Sequence, residues 1–169
     1  MKKNLTLTGM MGVGKSTIGK SLSNQLSMGF VDIDRIIEKK LNMTIQNIFK
    51  KRGEVYFRKF EEKITLQEIK REGIVISLGG GAFINPKIRK EILNTSKSFW
   101  LDLSVSLIEK RLIKSKKRPL LNRTSLKTTL KKIYDERKKT YALANYRIDC
   151  DKLNIDLITS KIISLYENY

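Results

Sequence analysis

A glycine-rich segment near the start of the chain has the residues and the spacing that bind the phosphates of a nucleotide. Gly9 is followed by four free positions and then by Gly14, Lys15 and Ser16, which is the phosphate-loop pattern. Glycines let successive backbone N–H groups point at phosphate oxygens, and a following helix adds its positive N-terminal end. Lys15 can then reach the β- and γ-phosphates, and the Ser16 hydroxyl can ligate Mg²⁺. Residues 9–17, the phosphate loop, therefore predict a nucleoside triphosphate site.

A pattern this short also matches glycine turns by chance, so its surroundings matter. Residues 4–8 alternate with apolar leucines at period two, as a strand does. Ile18, Leu22 and Leu26 then recur at helical spacing over residues 17–26. Strand, loop and helix come in the order that a phosphate loop needs, which favours a genuine nucleotide site.

Two carboxylates follow at the end of the next predicted strand, residues 30–34. Asp32 and Asp34 are spaced i, i+2, and residues so spaced on a strand share a face. Ligands of open α/β sheets bind at the carboxyl ends of the strands, where these side chains would lie. One carboxylate could support Mg²⁺ through water and the other could accept a hydrogen bond from a hydroxyl. The alternative is that Asp34 caps the following helix, and the spacing alone favours neither role over the other.

Glycines and arginines supply the remaining candidate chemistry. Residues 79–81 are three glycines after a buried strand, and they cost backbone entropy unless something must approach the backbone closely. Arg118 lies in a basic segment without periodicity, and Arg137 lies on a long predicted helix after it. Arg58 lies among lysines and glutamates, where its type alone indicates only a surface residue.

The elements that must position these residues alternate along the chain. The predicted strands are residues 4–8, 30–34, 74–78, 98–103 and 146–150. The predicted helices are residues 17–26, 35–41, 44–51, 54–71, 86–93, 105–113, 126–144 and 155–166. Residues 114–124 are predicted to be a loop and a mobile lid. The alternation implies an α/β protein of one domain, residues 1–169, with helices on both faces of a five-stranded parallel sheet.

Composition narrows the classes of function. The chain has 169 residues, of which 40% are hydrophobic and 31% charged, as in folded globular proteins. It has no histidine, which excludes imidazole catalysis and His-ligated zinc. A single cysteine, Cys150, excludes an internal disulfide and is expected to be buried at a strand end. No segment approaches the ~20 apolar residues of a membrane helix, so we expect no membrane partner and a cytoplasmic location.

The net charge of +18 has two interpretations. Basic surfaces bind the phosphate backbone of nucleic acids without reading sequence. The lysines, however, are spread along the whole chain instead of forming one block, which favours a solvated surface. We therefore expect no nucleic acid as a main partner, and a positive field that steers anionic substrates.

In combination, these motifs resemble those of the shikimate kinases. The resemblance covers nearly the whole chain and rests on several motifs in the family's order: the phosphate loop, Asp32-Ile33-Asp34, Phe57-Arg58 with Glu61, Gly79-Gly80-Gly81 and Arg118-Pro119-Leu120-Leu121. It implies a three-layer αβα P-loop kinase fold, similar to nucleoside monophosphate kinases, with a sheet in the order 2-3-1-4-5 and a mobile lid. It also implies transfer of the γ-phosphoryl of ATP to the 3-hydroxyl of shikimate, on the route to chorismate and the aromatic amino acids.

The resemblance implies roles on the ATP side of the site. ATP would be bound by Gly12, Val13, Gly14, Lys15, Ser16, Thr17, Arg111 and Arg118. Among these, Arg111 would lie near the adenine, and Arg118 would move in with the lid to contact the phosphates. Ser16 and Asp32 would hold Mg²⁺. Lys15, Asp34 and Arg118 would be the catalytic residues.

It implies further roles on the shikimate side. Shikimate would be bound by Asp34, Arg58, Gly79, Gly80, Gly81 and Arg137. Asp34 would orient or deprotonate the attacking hydroxyl, and Gly80 would offer a backbone N–H. The two arginines would grip the substrate carboxylate, for which guanidinium forks are suited. An apolar wall would be formed by Ile45, Phe49, Phe57, Pro119 and Leu120.

Some alternatives stay open at this point. Phe49 and Phe57 could serve core packing as much as the wall. Many relatives have a proline two residues after Arg137, where this chain has Lys139, so Lys138 and Lys139 could share its work. The rival functions are another small-molecule kinase of the same fold, for gluconate or a nucleoside monophosphate, and a phosphate-loop switch or nucleic-acid-binding ATPase. A monomer is expected.

Overall fold

Five strands form one parallel sheet in the computed structural model, which describes residues 3–114 and 125–168. The strands are β1 (Asn4–Thr8), β2 (Gly29–Asp32), β3 (Ile74–Ser77), β4 (Ser96–Asp102) and β5 (Tyr146–Asp149). Their order in the sheet is β2-β3-β1-β4-β5, and every neighbouring pair runs parallel. The α/β fold class, the five strands and the order 2-3-1-4-5 are thus confirmed.

Helices follow every strand and cover both faces of the sheet. They are α1 (Lys15–Leu26), α2 (Ile33–Leu41), α3 (Ile45–Glu68), α4 (Pro86–Thr95), α5 (Val105–Lys114), α6 (Leu126–Tyr141) and α7 (Ile155–Glu167). A short 3₁₀ turn, Ala82–Ile84, precedes α4. The three layers that the alternation of elements predicted are present.

The inner strands of the sheet, β3, β1 and β4, lie in the core. All four residues of β3 are buried, as are all five of β1, because helices cover both sides of a parallel sheet. Leu7 pairs with Ser77 on one side and with Phe99 on the other, so the carboxyl ends of β1, β3 and β4 lie next to one another. The segments that leave these three ends must therefore meet at one edge of the sheet.

The structure corrects the placement of the two aspartates. Strand β2 ends at Asp32 and α2 begins at Ile33, so Asp32 and Asp34 do not share a strand face. Asp32 is the N-cap of α2, and its carboxylate accepts a hydrogen bond of 3.2 Å from the Arg35 N–H. Asp34 lies in the first helical turn and is not the cap. The strand prediction ran two residues too far because aspartate is favoured as a helix N-cap, which ends the strand.

Other differences concern the ends of elements. The predicted helices 44–51 and 54–71 form α3, which is kinked at Gly53, where φ is 80° and ψ is 169°. Helix α6 ends at Tyr141 rather than at residue 144. Cys150 is buried after β5 as expected, and burial raises the pKa of its thiol to about 12.

The predicted lid falls mostly outside the described residues. Lys114 is the last residue of α5, and residues 115–124, including Arg118, Pro119 and Leu120, lie outside the description. None of the helices within residues 3–114 and 125–168 is long and apolar enough to cross a membrane.

Candidate active site

The phosphate loop connects β1 to the N-terminus of α1 through glycines in conformations that other residues avoid. Gly9 has a φ of 136°, and a Cβ there would lie 2.5 Å from the carbonyl oxygen of Leu101. Gly14 has a φ of 101° and immediately precedes α1. In the described part of the chain no side chain caps this helix, so its first N–H groups remain available for an anion.

Two cationic side chains contact the loop backbone. The Lys15 ammonium donates to the carbonyl oxygens of Gly9, at 2.9 Å, and Met10, at 2.8 Å. From α5, Arg111 Nη1 donates to the Val13 carbonyl at 3.0 Å. Lys15 is buried whereas Arg111 is exposed, so Arg111 lies at the open rim of the loop. Both side chains place positive charge where triphosphate oxygens would bind.

A hydroxyl and a carboxylate lie together beside the loop, and their oxygens form a donor pair, that is, two possible ligands for a metal ion. Ser16 Oγ lies 2.5 Å from Asp32 Oδ2, which joins the first turn of α1 to the end of β2. Within residues 3–114 and 125–168 no three His, Cys, Asp or Glu side chains cluster as a metal cage. Mg²⁺ in nucleotide sites is usually held by one or two protein oxygens together with substrate phosphates. The donor pair of Ser16 and Asp32 fits that ion.

The triple-glycine segment, residues 79–81, follows β3 and is surrounded by charged groups. A Cβ on Gly79 would lie 2.6 Å from Glu61 Oε1 and 2.7 Å from Asp34 Oδ1. A Cβ on Gly81 would lie 2.5 Å from Arg58 Nη1. Such distances are too short for any side chain, so the glycines let two carboxylates and a guanidinium touch bare backbone. This is the close approach that the three glycines indicated.

Arg58 is held in place on α3 by two carboxylates and two aromatic rings. Its Nη1 donates to Glu61 Oε2 at 2.7 Å and its Nε to Glu54 Oε1 at 3.3 Å. The guanidinium lies 5.1 Å from the ring centroid of Phe57 and 5.9 Å from that of Phe49. About a third of the side chain (32%) is exposed, so its outer face can still contact a ligand.

Glu61 is the buried partner in this ion pair. Its residue is 1% exposed, and Oε1 has no hydrogen-bond partner in the described part of the chain. Burial raises the pKa of the Glu61 carboxyl, and the nearby charge of Asp34 adds to the rise, while Arg58 opposes it. The family motif included Glu61 without a role. In the structure its buried carboxylate lies against Gly79 and accepts a hydrogen bond from Arg58, which holds that arginine in place.

Helix α6 also contacts the triple-glycine segment. Arg137 Nη1 donates to the Gly80 carbonyl at 3.1 Å, and the Tyr141 hydroxyl donates to the same oxygen. Lys138 instead pairs with Asp135 at 2.6 Å. Lys139 is exposed. Of these three cationic side chains, Arg137 is therefore the one that contacts the triple-glycine segment in the described structure.

The comparisons with known proteins agree with this geometry. The family model for shikimate kinase matches residues 11–167. A shikimate kinase of Sulfurihydrogenibium sp. (strain YO3AOP1) is 41% identical over 162 residues, which cover 96% of each chain. The chain belongs to the shikimate kinase family. Shikimate kinases are kinases that use ATP, so the predicted family and enzyme class are both confirmed.

Among solved structures, shikimate kinases match this chain more closely than another kinase of the same fold does. The shikimate kinase of Acinetobacter baumannii, solved in complex with shikimate, matches with a TM-score of 0.91 at 32% identity. That match covers 98% of this chain and 93% of the other. A gluconokinase from Sinorhizobium meliloti 1021 matches with a TM-score of 0.60 at 16% identity, over 98% of this chain and 94% of that one. Likeness at that identity shows the shared fold alone.

The remaining residues that the family resemblance implied are only partly placed. Ile45 and Phe49 are half-buried, and the centroids of the Phe49 and Phe57 rings lie 4.7 Å apart, so these two rings pack against each other. Their place in the wall of the substrate pocket stays a prediction. Thr17 is exposed on the first turn of α1. Arg118, Pro119 and Leu120 lie outside the described residues. Tyr141 was missed, although its position four residues after Arg137 on one helix could have suggested it.

Proposed function

We propose that this chain performs the reaction of its family, transferring the γ-phosphoryl of ATP to the 3-hydroxyl of shikimate to give shikimate 3-phosphate and ADP. In the cell this reaction would serve chorismate and aromatic amino acid synthesis. The observation that carries the proposal is the contact between the two halves of the site. A Cβ on Gly80 would lie 3.3 Å from the Met11 backbone nitrogen, so the triple-glycine segment packs directly against the phosphate loop.

The acceptor side supplies groups that match a small hydroxylated carboxylate. Arg58 and Arg137 approach the triple-glycine segment from α3 and α6, and we assign them to the substrate carboxylate. Asp34 lies beside Gly79, where it would accept a hydrogen bond from the attacking hydroxyl and orient or deprotonate it. Gly80 would offer its N–H to a second hydroxyl. Gly79 and Gly81 leave the space that these charged side chains occupy.

The donor side supplies backbone N–H groups and positive charge. The loop residues Gly12, Val13 and Gly14 and the first turn of α1 would hold the phosphates. Lys15 would move from the loop carbonyls to the β- and γ-phosphates, with Arg111 at the rim and Arg118 from the lid. Phosphoryl transfer passes through a loose transition state that needs alignment and charge neutralisation more than a strong base. A chain without histidine can therefore catalyse it.

Ser16 and Asp32 would hold Mg²⁺, because they supply the hydroxyl and carboxylate oxygens that this ion prefers beside phosphates. When bound, the ion supplies positive charge to the β- and γ-phosphate oxygens. The predicted single domain over residues 1–169, the cytoplasmic location, the monomeric state and the minor role of nucleic acids stay predictions.

A coupled assay of ADP release tests the proposed function. Purified protein is given MgATP with shikimate, gluconate or nucleoside monophosphates in parallel, and the phosphorylated product is identified by mass spectrometry. We expect ADP release to depend on shikimate and the product to carry phosphate on the 3-hydroxyl. Turnover with gluconate or a monophosphate but not with shikimate would contradict the proposal.

A further inference from the structure

Tyr141, the last residue of α6, contacts both halves of the proposed site. Its side chain is fully buried, and its hydroxyl donates to the Gly80 carbonyl. The same hydroxyl lies 4.0 Å from the Met10 sulfur of the phosphate loop. Neither the motifs quoted above nor the roles assigned above include this tyrosine.

The triple-glycine segment needs external support, because glycines have the largest backbone freedom of any residue. The outer two carbonyls are held by backbone groups, since the Ala82 N–H donates to Gly79 and the Ile84 N–H donates to Gly81, each at 3.1 Å. The middle carbonyl, that of Gly80, instead accepts from side chains of α6. Its orientation therefore depends on Arg137 and Tyr141.

The two side chains that donate to the Gly80 carbonyl differ in their other roles. Arg137 is half-buried and is assigned to the substrate carboxylate, so its guanidinium would serve both the Gly80 carbonyl and the substrate. Tyr141 has no assigned substrate contact: the residue is fully buried, and its ring lies 6.0 Å from the Trp100 ring. Burial also raises the pKa of Tyr141, although Arg137 and Arg58 oppose the rise, so the hydroxyl keeps its proton at neutral pH. Tyr141 thus donates to Gly80 without an assigned role at the substrate, whereas Arg137 has both roles.

We propose that Tyr141 is a positioning residue: its hydroxyl fixes the Gly80 carbonyl and so keeps the triple-glycine segment aligned with the phosphate loop. Because the peptide unit is planar, a fixed Gly80 carbonyl also fixes the Gly81 N–H. This inference rests on the proposed function, since the aligned segment is the one that would bind shikimate.

The test compares Tyr141→Phe with a matched control, Tyr134→Phe. Tyr134 lies seven residues earlier on α6, and its hydroxyl donates to Asp102 Oδ1 at 3.0 Å, away from the glycines. Each variant loses its phenolic hydroxyl and keeps its ring. Steady-state kinetics give kcat and KM for shikimate and for ATP, and thermal unfolding reports stability.

We expect kcat/KM for shikimate to fall about tenfold in Tyr141→Phe, mainly through KM, as the loss of one hydrogen bond to a buried carbonyl predicts. The KM for ATP should stay within about twofold, and Tyr134→Phe should keep the wild-type constants for both substrates even where its melting temperature falls. Fluorescence of Trp100, the single tryptophan, should show the same weakening of shikimate binding without ATP.

Equal losses in the two variants, or a Tyr141→Phe enzyme with wild-type kinetics, would overturn the inference and leave the proposed function standing. A wild-type enzyme that does not turn over shikimate would overturn both. If Tyr141→Phe does not fold, hydrogen exchange of the wild-type protein decides. Slow exchange of the Gly81 amide hydrogen in the absence of substrate supports the proposed alignment of the triple-glycine segment. Exchange at the rate of an unfolded chain refutes that alignment.

Discussion

Replacing Gly79 by alanine is the sharpest test of the site, because it adds one methyl group between two carboxylates. The methyl carbon would lie 2.6 Å from Glu61 Oε1 and 2.7 Å from Asp34 Oδ1. To reach ordinary van der Waals separation, each oxygen would have to withdraw by roughly 0.5–1 Å. The φ angle of Gly79 is not in the left-handed region, so the substitution acts through this contact and not through backbone strain.

The two carboxylates cannot move equally far from the added methyl group. Glu61 is buried and its other oxygen is bound to Arg58 at 2.7 Å, so it has little room to move. Asp34 is only half-buried and lies on the first turn of α2, so it takes most of the displacement. A misplacement of about 1 Å in a catalytic group costs on the order of 10²-fold in rate. We therefore expect kcat for shikimate phosphorylation to fall about 100-fold in Gly79→Ala.

The assay separates rate from binding. ADP affinity, measured by calorimetry, should match that of the wild type, because the phosphate loop is untouched. Gly81→Ala is the contrasting variant: its methyl group would meet the Arg58 guanidinium at 2.5 Å, so it should raise the KM for shikimate more than it lowers kcat. If folded Gly79→Ala enzyme kept kcat within about threefold of wild type, the assignment of Asp34 would be wrong.

Three further predictions concern single side chains. Asp34→Ala should lower kcat by about 10²–10⁴ while ADP binding is preserved, measured by coupled assay and calorimetry; near-normal turnover would remove Asp34 from catalysis. Arg111→Ala loses the 3.0 Å hydrogen bond to Val13 and should raise the KM for ATP about tenfold without changing that for shikimate; the reverse pattern would contradict its place at the loop. Since burial raises the Glu61 pKa, the folded protein holds that proton more tightly than the unfolded chain. The stability linked to this proton is present at low pH and is lost as pH rises through the raised pKa. Glu61→Gln should abolish that dependence in melting curves, and an unchanged curve would exclude Glu61 as its source.

The phosphate loop was predictable because all its determinants are contiguous in sequence. Gly9, Gly14, Lys15 and Ser16 sit at fixed offsets between a strand and a helix, so local pattern alone placed them at a sheet edge. The order of the strands is different, because periodicity does not say which strand lies beside which. The order 2-3-1-4-5 came from the family resemblance, and the structure confirmed it.

The errors and omissions have local physical causes. Asp34 was placed on a strand because the apolar alternation of residues 30–34 does not show where capping by Asp32 starts the helix. Tyr141 was missed because a tyrosine near Trp100 and Met10 has the composition of ordinary core. Only the folded structure brings its hydroxyl to the Gly80 carbonyl, which is 61 positions away in sequence.

The three glycines after β3 each have a different neighbour, and this explains why the segment has no side chains. Gly79 faces two carboxylates, Gly80 faces the phosphate loop, and Gly81 faces the Arg58 guanidinium. Each glycine costs roughly 1 kcal/mol of backbone entropy relative to alanine, a loss that the charged contacts and the α6 hydrogen bonds must offset. In the proposed site the acceptor surface would thus be backbone, and its chemistry would come from side chains on α2, α3 and α6. Selectivity for one acceptor over another within this fold should therefore change with the side chains of these three helices, whereas the phosphate loop supplies the part that all such kinases need.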